Sequence, residues 1–513
     1  MVRFPLRGRG YELGSDEESE GLMSSSSIGG RQLREAPPSS AHTPQSILAR
    51  LDRIGVWSMP FLFVGIIGLG FMFAFYDVFD INVSFIQSCV ALKPGCTPAN
   101  AVSTLRIPVV LNLAGYVIGA LLLAPLSDRF GRRNMLLFTM VLTGLGSLYN
   151  ALAPDYTQFV IARVITGIGV GADLAIVNTY VGEVAPRRNR ARWISVIFIM
   201  SSLGALLGIW LGLFLTTPSA PWPHGLPFAQ AGPSFDNGWR WMYAVGALLA
   251  AIGVLLRLEL PESARWLVGQ GRIDEADKVV SDMEVVAAKH GPLPPVEDNV
   301  PVDETTPKSS TAFRAIFGHR VYARRMIQLL AVWFLAYVTV FSFSAGFTSM
   351  LSSLHYQPSE AGLITAVGAF GFLGCALFAV AFADRLERKH WLPIGAAITV
   401  IGGIIVAEAG TTSLAIAFIG SVIVFFGFNI WVPMTYTLST ESFPTRARST
   451  GFGLVDGVGH LGGGIGVLLI APQIPNMSVL GAMLLVSSFL VAAAIIAQFS
   501  PRTRGRHYEE ISP

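Results

Sequence analysis

The segment DRFGRR at residues 128–133 recurs as DRLERK at residues 384–389, and this repeat decides the fold. A second pair recurs close to it: EVAPRRNR begins at Glu183 and ESFPTRAR begins at Glu441, and both fit the pattern E-x-x-P-x-x-x-R. The offsets of the two pairs are nearly equal, 256 and 258 residues. Two coincident offsets of this length indicate a duplicated unit, so we predict a molecule built from two equivalent halves.

The composition predicts that lipid is the solvent of most of the chain. Of the 513 residues, 52% are hydrophobic and only 13% are charged, whereas soluble chains are about a quarter charged. Apolar runs of about 20 residues, long enough to cross a bilayer, occur twelve times. They cover residues 57–88, 105–126, 134–153, 158–184, 192–217, 239–259, 326–352, 358–383, 391–410, 413–441, 447–471 and 477–499. We therefore predict an all-α membrane protein with twelve transmembrane helices in two pseudo-symmetric six-helix bundles.

The same features predict the domain boundaries. We expect an N-terminal bundle over residues 55–259 and a C-terminal bundle over residues 326–500. Residues 260–325 are predicted to form a cytoplasmic linker that contains one amphipathic helix followed by a flexible stretch. Residues 1–54 contain an acidic run and a Ser/Pro-rich stretch without an apolar core, so they are predicted to be a disordered tail, and residues 501–513 a second tail.

The distribution of lysine and arginine predicts the orientation in the membrane. Loops rich in arginine, at residues 128–133, 186–192, 384–389 and 444–448, alternate with loops that are almost free of cations. The positive-inside rule places the arginine-rich loops and both termini in the cytoplasm. We therefore expect a multi-pass protein of the plasma or inner membrane. The net charge of +3 is too small to predict nucleic-acid binding.

The cysteines and the acidic residues limit the possible chemistry. Cys89 and Cys96 fall in the first loop on the outer side, where a disulfide is possible and two free thiols are the alternative, and Cys375 lies within a helix. The sequence contains no nucleophile–base pair and no cluster with metal-ligand spacing. We therefore expect no enzymatic activity, no cofactor and no bound metal.

The motifs together resemble the sugar-and-other-transporter branch of the major facilitator superfamily over about residues 55–500. They are SDRFGRR, RVITGIGVG, EVAPRRNRAR, PESARWL and TESFPTRARS. The first predicted span, residues 57–88, contains the pattern D-x-x-D, and the fourth, residues 158–184, contains Arg and Asp ten residues apart. This combination is similar to the phosphate:proton symporters and to organic-acid and niacin-type proton symporters. The resemblance implies a monomeric transporter that binds a small substrate and protons, with two halves that rock in the lipid bilayer to give alternating access.

The repeated charges predict a latch at the cytoplasmic side. Asp128 is expected to accept backbone N–H groups of a neighbouring helix, Gly131 to permit a turn, and Arg132 and Arg133 to pair with carboxylates. The alternative is that these residues only snorkel and signal topology. Glu387 replaces the expected glycine of the second copy, which predicts a weaker latch there. The predicted gate residues are Asp128, Arg129, Gly131, Arg132, Arg133, Glu183, Arg190, Glu262, Arg265, Asp384, Arg385, Glu441 and Arg448.

Four ionisable residues at bilayer depth are candidates for proton coupling. A charge at mid-helix costs about 2.5–3.5 kcal/mol, so it is retained for a reason. Asp77 and Asp80 share one face of the first predicted span, and one of two carboxylates this close is expected to hold a proton. Asp173 follows Arg163 in the fourth predicted span. The resemblance to the phosphate symporters implies that Asp77 and Asp173 carry protons. We expect both to face an aqueous passage; the alternative is a carboxylate paired permanently with an arginine or a backbone N–H.

The substrate site is predicted to be a central cavity, apolar and aromatic with a few polar anchors. The candidates, for each of which packing is the alternative, are Asn178, Trp333, Tyr337, Asn429, Trp431, Tyr436, Asp456 and His460. The positions of phosphate ligands in the family are not kept: Leu174 stands for Tyr, Tyr337 for Asp and His460 for Lys. We therefore expect proton-coupled symport of a small organic anion or similar polar metabolite. The alternatives are a uniporter, an exporter or antiporter, a sugar or phosphate transporter, and a transport-inactive nutrient sensor.

Overall fold

The described residues form helices joined by loops, of which the connection at residues 217–237 between two helices is long. The computed structural model describes residues 43–59, 61–97, 101–186, 189–296, 312–344, 346–353, 356, 358–408, 412–444, 447–470, 473–506 and 511–512. The first 42 residues of the predicted N-terminal tail, residues 297–311 of the predicted flexible stretch, and part of the C-terminal tail lie outside these ranges.

The α-helices of the first half and the linker precede those of the second half along the chain. In the first half and the linker they are α1 (Pro44–Asp52), α2 (Phe61–Leu92), α3 (Ala101–Ile118), α4 (Leu126–Phe130), α5 (Arg132–Leu152), α6 (Tyr156–Val184), α7 (Arg190–Thr216), α8 (Gly238–Arg257), α9 (Ala264–Gly269), α10 (Ile273–Ala288) and α11 (Ala312–Phe317). In the second half they are α12 (Arg320–Ser344), α13 (Phe347–Ser353), α14 (Pro358–Phe382), α15 (Trp391–Glu408), α16 (Leu414–Ile430), α17 (Val432–Glu441), α18 (Arg448–Phe452), α19 (Val458–Ile470) and α20 (Val479–Ala497).

Two of the spanning segments are interrupted by π-helical turns. One turn, Gly119–Leu123, lies between α3 and α4, and the other, Gly453–Gly457, lies between α18 and α19. The two turns face each other across the two halves, because a side-chain carbon added at Gly457 would lie 2.4 Å from Cβ of Ala120. π-Helical turns of this kind are frequent at functional sites.

Twelve of the described helical segments are long and apolar enough to cross a membrane. In the first half α2 packs on α7 and α8, α3 on α6, and α5 on α6 and α8. The second half repeats this arrangement: α12 packs on α19 and α20, α14 on α16, and α15 on α16 and α20. The halves meet along α7 with α14 and along α3 with α19. The predicted fold class, two pseudo-symmetric six-helix bundles, is confirmed.

Residues 44–52 contradict the prediction that the disordered tail extends to residue 54, because they form the helix α1. The Thr43 hydroxyl caps the helix by accepting the backbone N–H of Ser46 at 3.2 Å. The apolar side chains of Ile47 and Leu51 are buried. A short helix of this kind is not stable alone in water, so its stability comes from docking on the rest of the protein. The local sequence does not predict such docking.

The docking partner of α1 is the linker helix α10. Arg50 forms ion pairs with Asp277 and, at 2.6 Å, with Glu284, and Arg53 also reaches Glu284 at 2.6 Å. α10 is the amphipathic helix that the sequence predicts, and its buried stripe consists of Ala276, Val280, Met283 and Ala287. α1, α9 and α10 form a layer, and α9 contacts the loop at residues 128–133 through the bond from Nε1 of Trp266 to the Asp128 carbonyl oxygen. We call this side of the molecule the arginine-rich end.

Cys89 and Cys96 are joined by a disulfide beyond the end of the spanning part of α2. The remaining cysteine, Cys375, is buried in α14 as a free thiol. Because α2 begins beside the layer of α1 and runs across the bundle, the disulfide lies at the other side of the molecule, which we call the disulfide end.

Candidate transport site

A small cavity lies between the two halves. Its volume is about 40 Å³, which is room for a few water molecules only. Apolar side chains from both halves, mainly phenylalanine and valine, form most of its wall. Its polar lining consists of Tyr116, Tyr337, Ser344, Asn429, Tyr436 and His460. Four of the predicted substrate residues, Tyr337, Asn429, Tyr436 and His460, therefore line the cavity.

Three other predicted substrate residues do not line the cavity but serve packing. Asn178 donates to the carbonyl oxygen of Leu174 within its own helix at 2.8 Å. Trp333 donates from Nε1 to the Ser439 hydroxyl at 2.9 Å, and its ring lies 5.4 Å from that of Trp431. The sequence identified the helices that surround the cavity, but the face that each helix turns inward depends on its neighbours.

Asp456 lies behind the cavity wall and is fully buried. Its Oδ2 accepts the hydroxyl of Tyr116 at 2.5 Å, and its Oδ1 accepts the hydroxyl of Tyr337 at 2.5 Å. Tyr116 belongs to α3 in the first half, so this hydrogen bond joins the two halves in the middle of the molecule. Tyr116 was not among the predicted residues, because a single tyrosine in an apolar helix carries no signal.

The His460 imidazole is held between two tyrosine rings. Its centroid lies 3.7 Å from the ring of Tyr116 and 4.0 Å from the ring of Tyr337. Nδ1 lies 2.7 Å from the backbone carbonyl oxygen of Asp456. Because a carbonyl oxygen only accepts hydrogen bonds, Nδ1 carries a hydrogen and Nε2 is left for another partner.

Asp77, Asp80 and Arg163 form one buried charge cluster. Arg163 donates from Nη1 to Oδ1 of Asp77 at 2.8 Å and from Nη2 to the Asp77 carbonyl oxygen at 3.0 Å. Oδ1 of Asp80 lies 3.7 Å from the same Nη1. Neither carboxylate oxygen of Asp80 accepts a hydrogen bond from a side chain of the described residues. The arginine is therefore engaged chiefly by Asp77.

Asp173 belongs to a second, separate ion pair. Arg257 of α8 donates to both carboxylate oxygens, to Oδ1 from Nη1 and to Oδ2 from Nη2 at 2.9 Å. Thr139 adds a hydroxyl donor to Oδ1 at 2.8 Å. Arg257 was not predicted, although a lone arginine at the end of an apolar run was a visible signal.

The expectation that Asp77 and Asp173 face an aqueous passage is wrong. Their side chains are buried, with exposed fractions of 1% and 3%, and neither lines the cavity. Each is instead neutralised by an arginine from a neighbouring helix, because a bilayer-depth carboxylate without water needs a counter-charge.

At the arginine-rich end, Arg132 is the centre of a buried cluster. Its Nη2 lies 2.8 Å from Oδ1 of Asp128 and 3.2 Å from Oε1 of Glu183. The Ser263 hydroxyl donates to the other oxygen of Glu183 at 2.5 Å. Asp128, Arg132 and Glu183 therefore come together as the repeated motif predicts.

Glu262 caps the helix that begins with Arg132. Its carboxylate accepts the backbone N–H groups of Arg132 at 3.0 Å and of Arg133 at 3.2 Å, which are free donors at the start of α5. Burial raises the pKa of Glu262 above its usual value, and the N–H groups of Ser263, Arg132 and Arg133 act in the opposite direction. The acceptance of backbone N–H groups, expected of Asp128, is therefore carried out by Glu262 at this turn.

Gly131 is required at this turn for two reasons. Its φ of 99° with ψ of 151° is a conformation open essentially to glycine alone. A side-chain carbon at this position would also lie 2.3 Å from Oε2 of Glu262. The predicted role of Gly131 in the turn agrees with this geometry.

The second copy of the motif has the same arrangement of charges. Arg388, which is offset from Arg132 by 256 residues, pairs with Asp384 at 2.9 Å and lies 3.7 Å from Glu441. Asp384 also accepts the backbone N–H of Arg192, near the start of α7, at 3.0 Å. Here the aspartate does accept from a neighbouring helix N-terminus. Arg388 was quoted in the motif but not assigned a role; the repeat offset could have identified it.

The two halves are joined at the arginine-rich end. The Thr450 hydroxyl of the second half donates to Oδ2 of Asp128 at 3.1 Å. Nη1 of Arg448 lies 3.7 Å from Oε1 of Glu183. With the bond between Asp384 and the Arg192 N–H, these contacts hold the two halves together at this end.

Arg129 and Arg385, the second residues of the two motif copies, do not join the charge clusters. Both side chains are exposed. Each guanidinium lies over a neighbouring aromatic ring, 5.3 Å from that of Phe130 and 4.5 Å from that of Phe382. Their expected gate role is not supported by a described carboxylate contact.

Two further arginines have partners other than those expected. Arg133 donates from Nη2 to the carbonyl oxygen of Leu258 at 2.6 Å, not to a carboxylate. Arg265 pairs with Asp52 of α1, which was assigned to the tail. The side chain of the predicted gate residue Arg190 lies outside the described residues.

These features define a class of protein. Among the described residues, twelve spanning helices in two equivalent bundles, with a cavity between them and charge clusters at one end, form the major facilitator fold. The chain belongs to the sugar (and other) transporter family, whose sequence profile matches residues 58–513.

Named relatives cover nearly the whole chain. The niacin transporter NiaP of Acinetobacter baylyi is 26% identical, covering 91% of this chain and 99% of that protein. The putative metabolite transport protein YyaJ of Bacillus subtilis is 25% identical, covering 91% of this chain and 98% of that protein. The solved structure of the proton:xylose symporter XylE bound to 6-bromo-6-deoxy-D-glucose has the same fold, with a TM-score of 0.69 at 21% identity over 91% of this chain and 98% of that chain.

Proposed function

We propose that the protein is a proton-coupled symporter that imports a small organic anion or similar polar metabolite by alternating access. The observation that supports proton coupling is the charge balance of the cluster formed by Asp77, Asp80 and Arg163. One arginine serves two carboxylates, and no other described basic side chain forms an ion pair with either of them. The cluster is therefore neutral when it holds one proton and carries a net negative charge without it.

The neutral form is favoured while the cluster is buried. A net charge in the low-dielectric interior is costly, and that cost falls when water enters. Asp80 is the natural site of the proton, because Asp77 already has the close contact with Arg163. A cluster that binds a proton when it is closed and releases it when one side opens to water has the property that coupling requires.

The cluster lies next to the cavity. Ala74 and Val78, which flank Asp77 on α2, line the cavity wall. Movement of α2 during opening would therefore change both the cavity and the hydration of the carboxylates. Proximity of this kind supports a link between proton binding and substrate binding.

We propose a structural role for Asp173, which the sequence suggested as a second proton carrier. Its pair with Arg257 is balanced, one positive against one negative charge, and both carboxylate oxygens are hydrogen-bonded. Nothing in this pair requires an additional proton. Asp173→Asn separates the two roles, since a proton carrier would lose pH-driven accumulation and a structural pair would lose stability without losing the pH dependence.

The arginine-rich end is proposed to be cytoplasmic, with the disulfide end outside. The arginine-rich loops follow the positive-inside rule, and a disulfide persists in an oxidising compartment. The contacts between the halves at the arginine-rich end would then be the inner gate, which opens to release substrate.

The coupling is tested by uptake into proteoliposomes with an imposed pH gradient. The test solutes are a panel of organic acids including niacin, with xylose as the sugar. The wild type should accumulate an organic acid when the outside is acidic, and an uncoupler should abolish accumulation. Asp80→Asn should reduce accumulation by about tenfold or more and retain counterflow, because the amide resembles the protonated state and cannot release a proton.

Glu408→Gln is the matched control, because Glu408 is an exposed carboxylate at the end of a spanning helix. It should transport like the wild type. Uptake that is insensitive to the pH gradient would favour a uniporter, and accumulation driven by an opposite gradient would favour an antiporter. Full pH-driven accumulation by Asp80→Asn would show that the proton is held elsewhere.

A further inference from the structure

We infer that the cavity, enlarged when the two halves part during alternating access, binds a planar-ring carboxylate, with the His460 imidazole as the cationic anchor for the carboxylate group. This inference rests on the proposed transport of an organic anion and names the class of anion. It assigns a recognition role to His460 and a positioning role to Asp456, Tyr116 and Tyr337.

The groups that face the cavity determine whether the expected ligand is an anion or a cation. Among the described residues that line it, His460 is the only one with a basic side chain. Asp456, the carboxylate directly behind His460, is not available to a cationic ligand, because each of its oxygens accepts a tyrosine hydroxyl and the residue is fully buried. The cavity therefore presents an imidazole, while the matching negative charge lies behind it.

The orientation of His460 fits this role. Nδ1 donates to the carbonyl oxygen of Asp456, and Nδ1 also lies 3.8 Å from Oδ2 of the same residue. The rings of Tyr116 and Tyr337 hold the imidazole on both faces. Nε2 can therefore take a proton from water in the cavity, and the resulting N–H can donate to a carboxylate oxygen, giving a charge-assisted hydrogen bond.

The shape of the ligand follows from the aromatic wall. Phe75 and Phe79 of α2 and Phe341 of α12 line the cavity beside the tyrosines. Aromatic rings pack favourably against flat rings in offset or edge-to-face arrangements, and they offer few hydrogen bonds to a polyhydroxylated sugar. A ligand with a flat ring and one anionic group can pack its ring against these aromatic side chains and pair its charge with His460.

The pH dependence of binding depends on the groups around His460. The titratable groups that face it are Asp456 in the π-helical turn before α19, Tyr116 from α3 and Tyr337 from α12. Tyr436 of α17 lines the same cavity. Because only the protonated imidazole is a cationic anchor, binding of a carboxylate is linked to uptake of a proton by His460, and it should tighten as the pH falls from 8 to 6.

The test is equilibrium binding to the purified full-length protein without any gradient. The probes share one ring and differ in charge: benzoate, benzamide and benzylamine, with cyclohexanecarboxylate to test planarity. Benzoate should bind at least about tenfold more tightly than the others, and more tightly at pH 6 than at pH 8. Preference for benzylamine, equal binding of benzamide, or no binding of benzoate would each overturn the inference.

Variants assign the effect to His460. His460→Gln keeps a hydrogen-bond donor and loses the charge, so benzoate binding should weaken about ten- to a hundredfold and lose its pH dependence. Asp456→Asn should also reduce the pH dependence. His319→Gln is the matched control, an exposed histidine beside the ring of Tyr322, and should bind benzoate like the wild type. Unchanged benzoate binding by a folded, monodisperse His460→Gln protein would contradict the assignment.

The coupling proposal and this inference fail in different assays. Normal benzoate binding with pH-insensitive uptake would overturn proton coupling alone. Proton-coupled uptake of xylose without benzoate binding would overturn the carboxylate inference alone.

Discussion

Gly70 shows how a single residue makes room for a buried ion pair. A side-chain carbon at this position would lie 2.0 Å from Nη2 of Arg257 and 2.4 Å from Oδ2 of Asp173. The glycine in α2 therefore allows α8 and α6 to bring their charges together behind it. Gly65, five residues earlier in the same helix, has no atom within 4 Å of the corresponding carbon.

We predict that Gly70→Ala destabilises the protein by about 1–3 kcal/mol, because the added methyl group must displace the guanidinium or the carboxylate. The measurement is thermal unfolding of the purified protein in detergent. Gly65→Ala is the matched control and should change stability by less than about 0.5 kcal/mol. Equal unfolding temperatures for the two variants would show that the pair has space to move.

At the scale of an element, α1 is held on α10 by charges. Burial alone would raise the pKa of Glu284, but hydrogen bonds from Arg50 and Arg53 outweigh it and lower the pKa below its usual value. A carboxyl whose pKa is lowered by folding adds stability above its unfolded pKa, about 4.3, and loses it as the pH falls through the lowered value. The docking of α1 should therefore be complete at neutral pH and weaken only in acid.

We predict that Glu284→Gln releases α1 at neutral pH. Hydrogen bonds to charged groups contribute about 1.5–3 kcal/mol, so amide exchange over residues 44–52 should be about tenfold faster or more. Hydrogen–deuterium exchange measures this directly. Glu275→Gln removes an exposed pair with Arg272, the residue that precedes α10, and should leave the exchange unchanged. Unaltered exchange in Glu284→Gln would mean that the buried Ile47 and Leu51 hold α1 by themselves.

At the scale of the whole molecule, hydrogen bonds and an ion pair close the arginine-rich end. Thr450 to Asp128 and Arg448 to Glu183 cross from one half to the other. They are buried or partly buried, so water does not replace them while the halves stay together. Separation of the halves at this end must break them, which sets an energetic preference for the closed arrangement.

We predict that Thr450→Val shifts the molecule toward opening at the arginine-rich end. Loss of a hydrogen bond to a charged group should raise the open population about tenfold. Spin labels on cysteines introduced at the exposed positions Arg129 and Arg385 would report longer distances. Thr450→Ser keeps the hydroxyl and should resemble the unsubstituted labelled protein. An identical distance distribution in Thr450→Val would show that this contact does not control opening.

The sequence by itself determined the twelve spans, the duplication and the residues of the repeated motif. Hydropathy is a property of each segment, and the offset between Asp128 and Asp384 is a property of the chain, so neither depends on the folded state. The joined pair Cys89 and Cys96 was likewise visible as a candidate from its short spacing and predicted compartment.

Only the tertiary structure decided which groups meet. Asp173 pairs with Arg257, and Asp456 accepts a hydrogen bond from Tyr116. In both cases the partner comes from a distant segment of the chain. An apolar helix buries side chains on most of its circumference, so its pattern does not show which face meets the cavity and which meets a neighbouring helix. Partners across helix contacts depend on how the helices pack, and spacing along the chain does not encode that packing.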